Sequence, residues 1–141
     1  MKMKIGALAK RTACSVETIR FYEKEGLLPA PGRTEGNFRL YDGTHAERLL
    51  FIRRCRSLDM SLEEIRLLLR SSENPLADCS AVNALLDEHI RGMTARMAEL
   101  ECLSEQLRAL RQQCSESRTA DQCGILQGLA APGLGQGLRP S

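Results

Sequence analysis

Ile5, Leu8 and Ala9 recur at helical spacing and predict a short first helix that ends near Thr12. "TACS" then makes a tight connection. Ser15 is suited to cap a second helix from Val16 to about Glu25, with Gly26 placed to stop it. Two short helices joined by a turn of about four residues form a helix-turn-helix pattern. The pattern changes in "LLPAPGRTEGNFRLY", where Phe38-Arg39-Leu40-Tyr41 alternates behind the turn residues Thr34-Glu35-Gly36-Asn37. This predicts a β-hairpin wing. Helical spacing resumes after Thr44, which is expected to cap a third helix through about Leu58. Ser61 and Glu64 then form a capping box that starts a fourth helix ending near Arg70.

After a Pro75-containing linker, residues 80–114 hold no proline and no turn cluster. Leu86, Met93, Leu100, Leu107 and Cys114 fall at intervals of seven, with Ile90, Met97, Leu103 and Leu110 between them. That is a coiled-coil seam of about four heptads. A lone helix cannot bury such a stripe, so a second copy of the chain is the simplest partner. "GILQGLA" after Cys123 predicts a helical turn, and the Gly/Pro-rich end predicts disorder.

The expected architecture is therefore mainly α. A winged helix-turn-helix over residues 1–71 and a linker over 72–79 precede a long antiparallel dimerisation helix over 80–114. A loop and short helix over 115–128 and a disordered tail over 129–141 complete the chain.

Charge sharpens this division. Residues 1–70 carry 14 Lys+Arg against 9 Asp+Glu, residues 71–141 carry 6 against 9, and all five aromatics lie in the first half. A basic, aromatic-containing half suits a nucleic-acid module joined to something else. No apolar run is long enough to span a membrane and the N-terminus lacks a secretory h-region. The expected compartment is the cytoplasm, where thiols stay reduced and six cysteines favour metal binding or packing over disulfides.

Cys79 and Cys114 are 35 residues apart, which separates them by roughly 52 Å along one helix at ~1.5 Å per residue. In an antiparallel helix pair, Cys79 of one chain approaches Cys114 and Cys123 of the other, giving two three-thiol sites. Such a donor set selects soft cations and binds them only after losing its protons. The alternative is that Cys79 and Cys123 are incidental loop thiols and Cys114 only a seam residue. Cys14 and Cys55 read as packing residues and Cys102 as a surface thiol. His45 and His89 lack a ligand-spaced neighbour, and Glu88, His89 or water is left open as a further ligand.

The candidate DNA contacts lie in the basic half. Thr18 and Tyr22 share a face of the second helix, with Arg20 beside it. Asn37, Arg39 and Tyr41 alternate in the wing and are expected to project together, while Arg53 and Arg56 make a basic face on the third helix.

"IGALAKRTACSVETIRFYEKEGLLPAPGR" followed by "GNFRLY" resembles the MerR family of transcription regulators. "DCSAVNALLDEHI" and "CSESRTADQCGILQGL" are similar to its lead- and cadmium-responsive branch. The resemblance implies a homodimer on double-stranded promoter DNA that distorts an overlong spacer when metal arrives, so that RNA polymerase can use it. It implies DNA contacts from Arg20, Tyr22, Arg39 and Arg56, with Glu17 departing from a basic residue of some relatives. It further implies that Cys79, Cys114 and Cys123 hold a soft divalent ion. Pb²⁺ is expected first, because the tail lacks the histidines of many cadmium-responsive members, and Cd²⁺, Zn²⁺ and Hg²⁺ stay open. A mercury-responsive regulator, a DNA-binding thiol redox sensor and a thiol-rich metal buffer are the competing readings. No nucleophile–base set or phosphate loop points to an enzyme.

Overall fold

The computed structural model describes residues 1–114 and 116–132. Contacts divide the chain into two compact units, Met1–Leu86 and Asp87–Ser141.

The first unit opens with α1 (Ile5–Thr12) and α2 (Val16–Lys24). Ala13 turns between them in the left-handed region (φ 54°), and Ser15 caps α2 by accepting the Thr18 N–H at 3.1 Å, a bond type that stabilises a helix by about 1 kcal/mol. Gly26 closes α2 at φ +75°, where a side chain would be strained. The wing pairs β1 (Gly32–Arg33) with β2 (Arg39–Leu40) antiparallel, in the register Gly32 to Leu40 and Arg33 to Arg39. Its turn is closed by the Asn37 N–H donating to Thr34 O at 2.9 Å. Asn37 sits at φ 65°, a conformation asparagine tolerates better than most residues. The extended N-terminus adds a bridge to the wing, Met3 exchanging two backbone bonds with Tyr41 at 2.7 and 2.8 Å.

Next come α3 (Gly43–Ser57) and α4 (Leu62–Ser72). Asp42, not Thr44, caps α3: its carboxylate accepts the Thr44 N–H at 3.0 Å, and His45 Nδ1 reaches back to accept the Asp42 N–H at 3.2 Å. The reach of the histidine side chain moves the cap two residues earlier than the sequence reading placed it. His45 Nε2 donates to Pro29 O at 3.1 Å, so this histidine is a buried structural tie. Ser61 and Glu64 form the expected capping box for α4. Leu8, Ile19, Leu49, Ile52 and Ile65 are fully enclosed, so that α1 to α4 share one core with Tyr41 inside it. At ~25 cal/mol per Å² of buried apolar surface, each large side chain there contributes roughly 1.5–3 kcal/mol.

The long helix is α5 (Ser80–Arg111), three residues shorter than expected, and Cys114 lies beyond its end. No residue of α5 is buried. Its seam residues from Leu86 to Leu107 are exposed, Met97 at 69% and Leu107 at 66% among them, and Leu110 is half-buried. In the second unit a 3₁₀ turn (Ala120–Gln122) leads into α6 (Gly124–Ala130). The helix therefore takes in Leu129 and Ala130, which the sequence reading assigned to a disordered tail; the rest of that tail beyond Pro132 lies outside the described residues. Among the described residues no helix is long and apolar enough to cross a membrane.

Candidate nucleic-acid interface and metal-ligating thiols

Helix α2 buries Ile19 and Tyr22 and turns Glu17, Arg20, Phe21 and Lys24 to solvent. These four follow the i, i+3, i+4, i+7 spacing of one face. Arg20 makes no hydrogen bond or ion pair among the described residues, and its guanidinium is free for an external anion. Thr18 is half-buried, and its hydroxyl accepts from Ser15 Oγ at 2.8 Å.

Arg20 opens onto a groove of about 440 Å³ that also takes in Lys4, Ile5, Arg33, Asn37, Phe38 and Arg39. Four cations and no carboxylate line it, the electrostatic footprint expected for a phosphate backbone. Arg33 and Arg39 face each other across the wing, an arrangement unfavourable for like charges on neighbouring strands. Two contacts offset it: Arg33 Nη1 donates to Asn37 O at 3.1 Å, and Arg39 pairs with Glu23 of α2 at 3.3 Å. Phe38, 62% exposed, carries the Lys4 ammonium over its ring at 5.4 Å.

Arg53 and Arg56 are exposed and partly committed. Arg53 Nη1 donates to Thr12 O at 3.1 Å, at the end of α1, and Arg56 Nη1 to Met60 O at 2.8 Å. Each guanidinium has five N–H donors, so most of its capacity still points outward.

The thiols separate as their surroundings dictate. Burial pushes the Cys55 thiol up, and half-buried Cys14 donates to Thr12 O at 3.6 Å. Both are packing residues. Exposed Cys102 accepts from Gln106 Nε2 at 3.5 Å. Cys79 is exposed at the start of α5, where Asp78 anchors the chain by accepting the Ser80 N–H at 3.0 Å and hydroxyl at 2.6 Å. In the second unit, Cys114 and Cys123 come together across their loop. The Cys114 thiol donates to Glu116 O at 3.0 Å. The Cys123 thiol is held below the usual thiol value, chiefly by the Leu126 N–H, then by the Ile125 N–H and the Cys114 thiol. Glu88, considered as a further ligand, is paired with Arg91 at 2.6 Å. Among the described residues no three His, Cys, Asp or Glu side chains converge to hold an ion.

Residues 3–72 match the model of the MerR HTH family regulatory proteins, and residues 46–110 match that of the MerR DNA-binding region. The chain belongs to the MerR family. The transcription regulator PbrR691 from Ralstonia metallidurans CH34, whose crystal structure is a complex with lead(II), is 55% identical, with a TM-score of 0.84 over 91% of this chain and 99% of that one. A Haemophilus influenzae HTH-type transcriptional regulator, a ZntR homolog, is 49% identical over 78% of this chain and 82% of its own length. ZntR of Escherichia coli K12 is 38% identical over 89% of this chain and 91% of its own.

In this MerR family member two expected contacts need correction. Tyr41 is fully enclosed and Tyr22 is 9% exposed; both rings belong to the core. Arg39 and Tyr41 do leave β2 on the same side, as their alternation requires, but that side packs on α2, where both reach Glu23. Asn37, at the turn, does border the basic groove. Lys4, Phe21, Lys24 and Arg33 escaped the sequence reading. The exposed face of α2 was legible by counting away from buried Ile19. Lys4 was not, because only the Met3–Tyr41 bridge carries the N-terminus to the wing.

Proposed function

We propose that the chain is a soft-metal-responsive transcription regulator, with Pb²⁺ as its first-choice effector, acting as a homodimer on promoter DNA. The observation that carries it is the approach of the chain at Cys114 and Cys123, where Gly124 lies against the carbonyl of Gln113, in a chain 55% identical to a regulator crystallised with lead(II). Cys79 of one protomer, with Cys114 and Cys123 of the other, completes a three-thiolate set whose softness fits a large polarisable cation. A bound ion supplies bonds to all three thiolates at once, which ties the two protomers together.

In this reading Arg20, Lys24, Lys4, Arg33 and Arg39 engage the DNA through the groove and the α2 face. Arg53, Arg56 and Asn37 add backbone contacts, and Thr18 orients the start of α2. RNA polymerase is the machinery that reads the outcome. Distorting a promoter spacer costs on the order of a few kcal/mol, within the typical coupling of about 1–3 kcal/mol per effector site when two sites act together.

The test is a competitive titration of the reduced protein with Pb²⁺, Cd²⁺, Zn²⁺ and Hg²⁺, followed by sulfur-to-metal charge-transfer absorption, in wild type and Cys79→Ser. One ion per protomer with Pb²⁺ preferred, lost in the variant, is the expected result. Preference for another ion reassigns the effector, and absence of saturable binding returns the thiol pair to redox sensing.

A further inference from the structure

Helix α6 carries Gly124 and Gly128, one turn apart in a helix of seven residues. Neither has the positive φ that would call for glycine, and Gly128, inside the helix, costs it about 1 kcal/mol relative to alanine. Their reason lies in what they touch. A Cβ on Gly124 would stand 2.0 Å from the Gln113 carbonyl oxygen. One on Gly128 would stand 2.3 Å from Gln113 Oε1 and 3.3 Å from Leu110 Cδ1. Gly92, midway along α5, has nothing within 4 Å of the same position. The backbone of α6 thus rests directly on the turn that ends α5.

The two sides of this contact adjoin Cys114 and Cys123. Gln113 precedes Cys114, and Gly124 follows Cys123. A backbone carbonyl cannot turn aside, so a methyl at Gly124 would lift α6 by an ångström or more. Metal–thiolate distances tolerate only about 0.2 Å.

We propose that Gly124 is a positioning residue for the thiol pair: its missing side chain lets α6 seat on Gln113, and that seating sets the separation of Cys114 and Cys123. Gly128 adds a weaker contact, because the atom it meets is the end of a flexible side chain. The consequence for metal rests on the function proposed above; the seating itself does not.

The experiment uses full-length protein and two readouts. A bifunctional bimane reagent bridges neighbouring thiols, and peptide mass spectrometry identifies the bridged pair; Pb²⁺ affinity is read from charge-transfer absorption. Gly124→Ala is expected to lower both the Cys114–Cys123 bridging yield and the Pb²⁺ affinity at least tenfold, with metal-free DNA binding unchanged. Gln113→Ala should not restore it, since the carbonyl remains. Gly128→Ala is expected to lose only a few-fold, and Gln113→Ala should return that variant to wild type. Wild-type bridging in Gly124→Ala overturns the proposal, as does failure of Gln113→Ala to rescue Gly128→Ala. Bridging that responds as described while no variant, nor the wild type, takes up Pb²⁺ supports the seating and rejects the metal function instead.

Discussion

Tyr41 of the wing donates its hydroxyl to Glu23 of α2, from a position with no solvent exposure. The second Glu23 oxygen lies 3.3 Å from Arg39, so one carboxylate fixes the wing to α2 and holds one of the groove cations in place. The wing and α2, which border the basic groove, are registered by this acid.

Tyr41→Phe should keep the fold and lose about 1–3 kcal/mol, because Glu23 stays largely buried with one partner fewer. Burial, and then Glu23, push the Tyr41 pKa up to about 12 from 10.0. A raised phenol pKa means the folded state holds its proton longer. That contribution is complete below about pH 10 and is lost as pH rises toward about 12. Urea midpoints between those pH values should fall more steeply for wild type than for Tyr41→Phe, and parallel slopes would remove the assignment.

Arg20→Ala should weaken operator binding and reduce the slope of log affinity against log salt by about one, with Pb²⁺ affinity unchanged. Fluorescence anisotropy at several salt concentrations measures both. A parallel drop in Pb²⁺ affinity would argue against separate roles for the two units.

Lys4→Ala and Arg33→Ala carry a sharper version of the same expectation, since no sequence pattern pointed to them. Each should weaken binding to operator and to unrelated duplex by similar factors, as phosphate contacts do. A loss confined to the operator would place them on base edges instead.

Cys79→Ser, Cys114→Ser and Cys123→Ser should each abolish the metal response and keep metal-free operator binding. Mixing Cys79→Ser with a Cys114→Ser/Cys123→Ser double variant should restore one site per heterodimer. No recovery in that mixture would reject a site shared between chains.

Met97→Glu places a charge in the middle of the exposed α5 seam. Sedimentation should then give a monomer at concentrations where wild type is a dimer, with Pb²⁺ uptake lost alongside. An unchanged dimer would move the interface elsewhere.

Local chemistry made much of this molecule legible in advance. Ser15 and Ser61 caps, the Gly26 stop and the Thr34–Asn37 turn each depend on residues within a few positions of one another, and each appears where the spacing placed it. The seam of α5 was readable for the same reason: a period of seven in one helix needs no knowledge of the rest of the chain. The misplaced contact in the wing, Tyr41, has a physical cause. Alternation tells which side chains leave a strand together, but it does not tell whether that side meets solvent or another element; for Tyr41 it meets α2.

The order of the helices, the wing and the unpaired apolar stripe were determined by the sequence alone, because periodicity and capping are local properties. Only the tertiary structure decided that Glu23 joins Tyr41 and Arg39, and that Lys4 enters the basic groove. It also decided that Gly124 seats on Gln113 beside Cys114 and Cys123. Those contacts join residues brought together by packing, and the energies that choose among such packings come from buried surface and excluded volume, which no short stretch of sequence contains.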